Sequence, residues 1–224
     1  MASNAAALSQ KREAHSLGHN LAGIAIVLAL GGLGLAYAID AAGKHSTGGT
    51  GAMGGSALVR TLGATELEIP AAWFRAGTEQ GAGFAKQIDL AVSLPLGPEG
   101  AAREVEVTLM PRSRIRPSAS LLDGVYLHQF MPEQLSGPVG LIGKPMVARE
   151  GFENETVWYD ALASSPFVAK CSAPVAEGQP GRCLRAVYLG PGIAAVYGFD
   201  VDVLDNWRKF DAQMHPLLTQ IGAL

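Results

Sequence analysis

The run Leu21-Ala-Gly-Ile-Ala-Ile-Val-Leu-Ala-Leu-Gly-Gly-Leu-Gly-Leu-Ala-Tyr-Ala-Ile39 holds 19 residues and no charge. A helix of that length, rising ~1.5 Å per residue, nearly covers a hydrocarbon core about 30 Å thick. Helices of soluble cores rarely stay apolar on every side for so many turns. The run therefore predicts a transmembrane helix over 17–39, preceded by a tail of residues 1–16. Lys11 and Arg12 lie before it, Asp40 and Lys44 after it. The cationic flank stays in the cytoplasm, which sends the rest of the chain across the membrane. A cleaved signal peptide is the competing reading, because Ala36-Tyr37-Ala38 fits a small-x-small cleavage site. Against it, the apolar stretch exceeds the usual signal core of ~7–15 residues. Both readings export the C-terminal bulk of the chain. Ala25, Ala29, Gly32 and Ala36 form a small-residue stripe along the helix, a pattern that lets helices approach closely.

Residues 40–57 are rich in Gly, Ser, Thr and Ala and read as a flexible tether spanning roughly 23 Å. Within it, Gly49-Thr-Gly51-Ala-Met-Gly54 formally matches G-x-G-x-x-G. A dinucleotide site needs a strand before that motif and a helix after it. Here a membrane helix and a glycine-rich stretch precede it, so the match reads as linker. The net charge of −3 argues against a sequence-independent nucleic-acid binder, which needs a basic surface. Two cysteines are too few for a cysteine-rich metal cluster. Eleven Arg against six Lys, with abundant Ala, Gly and Leu, suit a GC-rich bacterial genome. The expected location is a bacterial inner membrane, with residues 58–224 forming a periplasmic globular domain.

That domain reads as α+β: an antiparallel sheet with a C-terminal helix packed on it, a β-sandwich being the alternative. Gln87–Leu96 places Ile88, Leu90, Val92, Leu94 and Leu96 on one face, and Glu104–Met110 places Val105, Val107 and Leu109 inside. Such one-sided alternation suits antiparallel strands with one wet face. Glu66–Ile69 is a shorter strand. Ala71–Ala76 suggests a short helix, and Leu121–Phe130 is ambiguous. Phe167–Cys171, Cys183–Leu189 and Ile193–Val201 read as strands, the last two joined at Gly190-Pro-Gly192. A helix should come next, with Asp202 and Asp205 at N-cap and N3, and with Leu204, Trp207, Phe210, Met214, Leu217 and Ile221 on the sheet. Pro216 should kink it or start a new helix.

Cys171 and Cys183 flank eleven residues rich in Gly, Pro and small polar types. In an exported domain that spacing predicts a structural disulfide closing a loop between two antiparallel strands. Arg112-Ser-Arg-Ile-Arg116, if extended, projects Arg112, Arg114 and Arg116 on one face, a candidate site for an anion or partner. The competing reading pairs them with Glu104 and Glu106 across strands. His128 reads as a hydrogen-bonded structural residue, and no G-x-S-x-G, S-x-x-K or H-E-x-x-H motif accompanies it. Asp200, Asp202 and Asp205 lack the EF-hand pattern, and His15 and His19 lack a third ligand nearby. No metal or cofactor is expected. These features suit a non-enzymatic accessory or scaffold subunit of an envelope complex, touching the membrane through one helix and other envelope proteins or itself. A periplasmic binding module for an anionic ligand is the first alternative, and an envelope hydrolase using His128 the second.

Overall fold

Alternation organises the centre of the domain. In β4 (Ile88–Leu94) and β5 (Arg103–Pro111) every second side chain is apolar, and Ile88, Leu90, Val92, Leu94, Val105, Val107 and Leu109 are all buried. The computed structural model describes residues 56–77, 83–148, 154–174, 176–190 and 192–224. These belong to one unit, residues 54–224; a second unit, 1–53, lies outside the described residues. So do the apolar run, its stripe at Ala25, Ala29, Gly32 and Ala36, and tether residues 40–55. Among the described residues no helix is long and apolar enough to cross a membrane.

A seven-stranded sheet runs in the order β4-β5-β10-β9-β8-β7-β6. Its further strands are β6 (Ile142–Pro145), β7 (Glu155–Tyr159), β8 (Val168–Ser172), β9 (Arg182–Tyr188) and β10 (Ile193–Asp200). Every neighbouring pair is antiparallel. Register places Leu90 opposite Val107, Val107 opposite Tyr197, and Tyr197 opposite Arg185, so these four share one face. The C-terminal helix, α2 (Trp207–Gln220), covers that face with Phe210, Met214 and Leu218. Each such burial stabilises by roughly 1.5–3 kcal/mol. A small sheet, β2-β1-β3, adds Leu62, Leu67 and Ile69 to the same core. There β1 (Ala57–Leu62) pairs antiparallel with β2 (Thr65–Pro70) and parallel with β3 (Gly83–Ala85). The antiparallel sheet bearing a C-terminal helix is the α+β arrangement the sequence predicts.

The opposite face is covered only in part. Helix α1 (Ser118–Gly124) and the 3₁₀ turn Tyr126–Gln129 bring Leu122 and Tyr126 onto Met146, Val157 and Val168. Strands β7 and β8 are thus buried on both sides, with Val157 beside Trp158 and Val168 beside Ala169. The Trp158 ring lies so close to Gly143 of β6 that a Cβ there would sit 2.5 Å from it.

Four local expectations need correction. Helix α2 does not begin at Asp202: a 3₁₀ turn occupies Val201–Asn206 and the α-helix starts at Trp207. The Asp202 carboxylate instead takes Arg103, Nη2 to Oδ2 at 2.6 Å, so it does not cap. That bond holds the Arg103 guanidinium above its ordinary pKa. The α-helix continues through Pro216, because Met214 and Leu218 on either side are anchored in the core. Only Ala71–Trp73 forms a 3₁₀ turn before Phe74 bridges to Leu90, and the ambiguous Leu121–Phe130 stretch is helical.

Candidate functional site

Cys171 and Cys183 stand opposite each other in β8 and β9 and are joined by a disulfide. Both are buried, with Cys183 also facing Phe199 across to β10. The bond is structural and lies inside the core.

The arginine run is not a strand. Pro111 pairs with Ile193, the first residue of β10, so β5 has no partner to continue against and Arg112–Arg114 turns as a 3₁₀ helix. The Arg112 amide donates to the Gly192 carbonyl at 2.9 Å, which fixes the turn. The arginines therefore do not project from one extended face. The Arg112 guanidinium lies 3.9 Å from the Tyr188 ring centroid, Arg114 Nη1 donates to the Lys86 carbonyl at 3.2 Å, and Arg116 is exposed. Nor do they pair with the strand acids: Glu106 is held by Arg75 at 3.4 Å and Arg182 at 3.1 Å.

Tyr188 leads from the arginine run into a cleft of about 480 Å³ beside β9. The cleft exists because the β8–β9 ladder is short, reaching only from Ser172–Arg182 to Lys170–Leu184. Past Leu184 the β9 edge meets Pro166 and the start of α1 instead of a strand. Ser118 takes the place of a strand carbonyl there, its hydroxyl accepting from the Ala186 amide at 2.9 Å. The Tyr188 hydroxyl donates to the Ile115 carbonyl at 3.1 Å, so the segment carrying the arginines is tied to the cleft wall.

Arg185 lines this cleft and is only 7% exposed. Its guanidinium lies over the Phe167 ring, 4.4 Å from the centroid. Nη2 donates to Asp211 Oδ2 of α2 at 2.8 Å, while Nη1 is buried without a hydrogen-bond partner. Burial lowers the Arg185 pKa, opposed by the Asp211 charge. Burial likewise raises that of the neighbouring Tyr197 hydroxyl. A desolvated guanidinium between an aromatic ring and apolar walls is suited to holding an anion.

The other candidates are dispersed. His128 is exposed in its 3₁₀ turn, where the hydrogen-bonded structural role expected of it is not seen. Asp200 pairs with Arg182 at 2.7 Å and Asp202 with Arg103 at 2.6 Å, so each carboxylate is already taken by an arginine. Among the described residues no three His, Cys, Asp or Glu side chains group as a metal site would require. Sequence reasoning missed Arg185. Its signal was parity: it shares the inward face of β9 with Cys183, where a charge is out of place. Comparison with family models, curated proteins and solved structures finds none that this chain matches.

Proposed function

We propose that the chain is a membrane-anchored accessory or scaffold subunit of a bacterial envelope complex, acting through contact and not catalysis, with residues 58–224 in the periplasm. One observation carries the contact: exposed Leu127, Met131, Leu135, Val139 and Val147 fall within one stretch at the β6 end of the sheet. Backbone bonds from Met131 to Pro145, Leu135 to Gly143 and Val147 to Gln129 gather that stretch along the β6 edge. This concentration of exposed apolar residues in one segment supports a contact surface there. Two measurements test the reading. A reporter fused after Leu224 is expected to be active outside the cytoplasm with the protein at its full mass; a soluble product beginning at Ile39 sinks the anchor. Affinity purification from gently solubilised membranes should recover a defined partner set that Leu135→Asp with Val147→Asp removes, whereas an unchanged set places the contact elsewhere.

A second reading is a periplasmic binding module for an anionic ligand. What favours it is the stacking of Arg112 on Tyr188 at the wall of the Arg185 cleft. Replacing Arg112, Arg114 and Arg116 together by Gln is expected to weaken anion binding and flatten its salt dependence. Stability should change little, since exposed charges contribute only ~0–1 kcal/mol each. Extensive unfolding with unaltered affinity would make the run structural.

A further inference from the structure

Arg185 is a buried cation with an incomplete set of partners. Its one carboxylate, Asp211, has a side chain 65% exposed and satisfies a single edge of the guanidinium. Nη1 on the same group is left without an acceptor, although buried donors are ordinarily paired. Around it, Val187 of β9 and Leu189 just beyond that strand line the cleft together with Met214 and Leu218 of α2. The volume of about 480 Å³ lies in the ~300–1,000 Å³ range of small-molecule sites. A peptide strand is disfavoured as occupant, because Ser118 already takes the Ala186 amide that strand addition would use. A phosphate dianion is disfavoured more strongly than a monoanion, since Asp211 already neutralises the arginine and each further negative charge adds to the repulsion from that carboxylate.

We infer that this cleft is a binding site for a small organic monoacid, its carboxylate on Arg185 and a short apolar body along Val187, Leu189, Met214 and Leu218. The inference rests on the binding-module reading and names its ligand class and its cationic residue. Arg185 Nη1 is the donor left for a carboxylate oxygen, and the apolar walls match a short aliphatic chain.

The test is calorimetric titration of hexanoate into the full-length protein in a mild non-ionic detergent, with hexanamide as the uncharged control. Saturable binding is expected, with hexanamide about tenfold weaker or worse, because hydrogen bonds to charged groups are the strong ones. From acetate to hexanoate, affinity should rise about fourfold per methylene as the apolar walls fill. Arg185→Met should abolish the preference for the acid. Asp211→Asn removes the competing carboxylate and should tighten hexanoate severalfold. That variant keeps the test intact should Arg185→Met fail to fold. Equal affinity for hexanoate and hexanamide, a flat chain-length series, or no saturable binding at millimolar acid overturns the site. Loss of binding in the Arg112, Arg114 and Arg116 triple Gln variant with Arg185→Met unaffected also overturns it, while leaving the binding-module reading standing.

Discussion

Phe210→Ala is expected to lower the unfolding free energy of the domain by about 3–5 kcal/mol, the range for removing a buried aromatic side chain. Phe210 is 0% exposed and sits where helix and sheet meet. Its ring centroid lies 5.0 Å from that of Phe199, 5.3 Å from Tyr197 and 6.1 Å from Phe167. Truncation removes apolar burial and three ring contacts together, and surroundings this crowded cannot collapse to refill the space. Urea unfolding followed by Trp fluorescence measures it. Phe210→Leu keeps most of the volume and should lose much less. A loss below about 1 kcal/mol for the alanine variant would mean that α2 does not close the core as described.

The second large effect is at the disulfide. Cys171 and Cys183 occupy the middle of a three-pair ladder, between Lys170–Leu184 and Ser172–Arg182, and close a sequence separation of 12. Loop-closure entropy for about this length corresponds to roughly 3 kcal/mol of stabilisation. That is a large share of a total of ~5–15 kcal/mol. The Cys171→Ala, Cys183→Ala double variant should lose it, measured as a lowered denaturation midpoint together with a steeper slope, because the unfolded chain without the crosslink is less compact. Non-reducing mass analysis of the exported protein should find no alkylatable thiol. Two reactive thiols would refute the bond in its native compartment and weaken the periplasmic assignment.

How much could be read in advance depended on whether a strand kept a one-sided alternation or was flanked by a clear turn signal. Strands β4 and β5 were legible because their alternation survives: Glu104 and Glu106 face water while Val105 and Val107 face the core. Strands β9 and β10 were legible through the Gly190-Pro-Gly192 connection between them, although β10 is buried on both faces. Strand β7 was invisible because α1 covers its second face, so Val157 and Trp158 are buried in succession and the period of two disappears. The disulfide was legible because the Gly- and Pro-rich loop between the cysteines announces a hairpin whose strand ends must meet. The arginine run was misread as extended because what ends β5 is the start of β10 some eighty residues later, which no local pattern encodes. Asp202 looked like a cap for the same reason, its true partner Arg103 being 99 positions away in sequence. The cleft was hidden because it arises from a strand that stops too soon to cover its neighbour.

The strand order also dictates when each part of the domain becomes able to fold. Strands β4 and β5 are joined by a short connection and complete a hairpin early in synthesis. The other flank of β5 has to wait for β10: Met110 finds its partner only in Ala194, 84 residues later. At ~5–20 residues per second of synthesis that interval lasts about 4–17 s. Throughout it β5 presents an open row of amide and carbonyl groups beside Val105, Val107 and Leu109, the kind of edge on which chains aggregate. Because β10 lies between β5 and β9, its pairing with β5 is what closes the sheet, and the period of greatest vulnerability should end with the arrival of that one late strand.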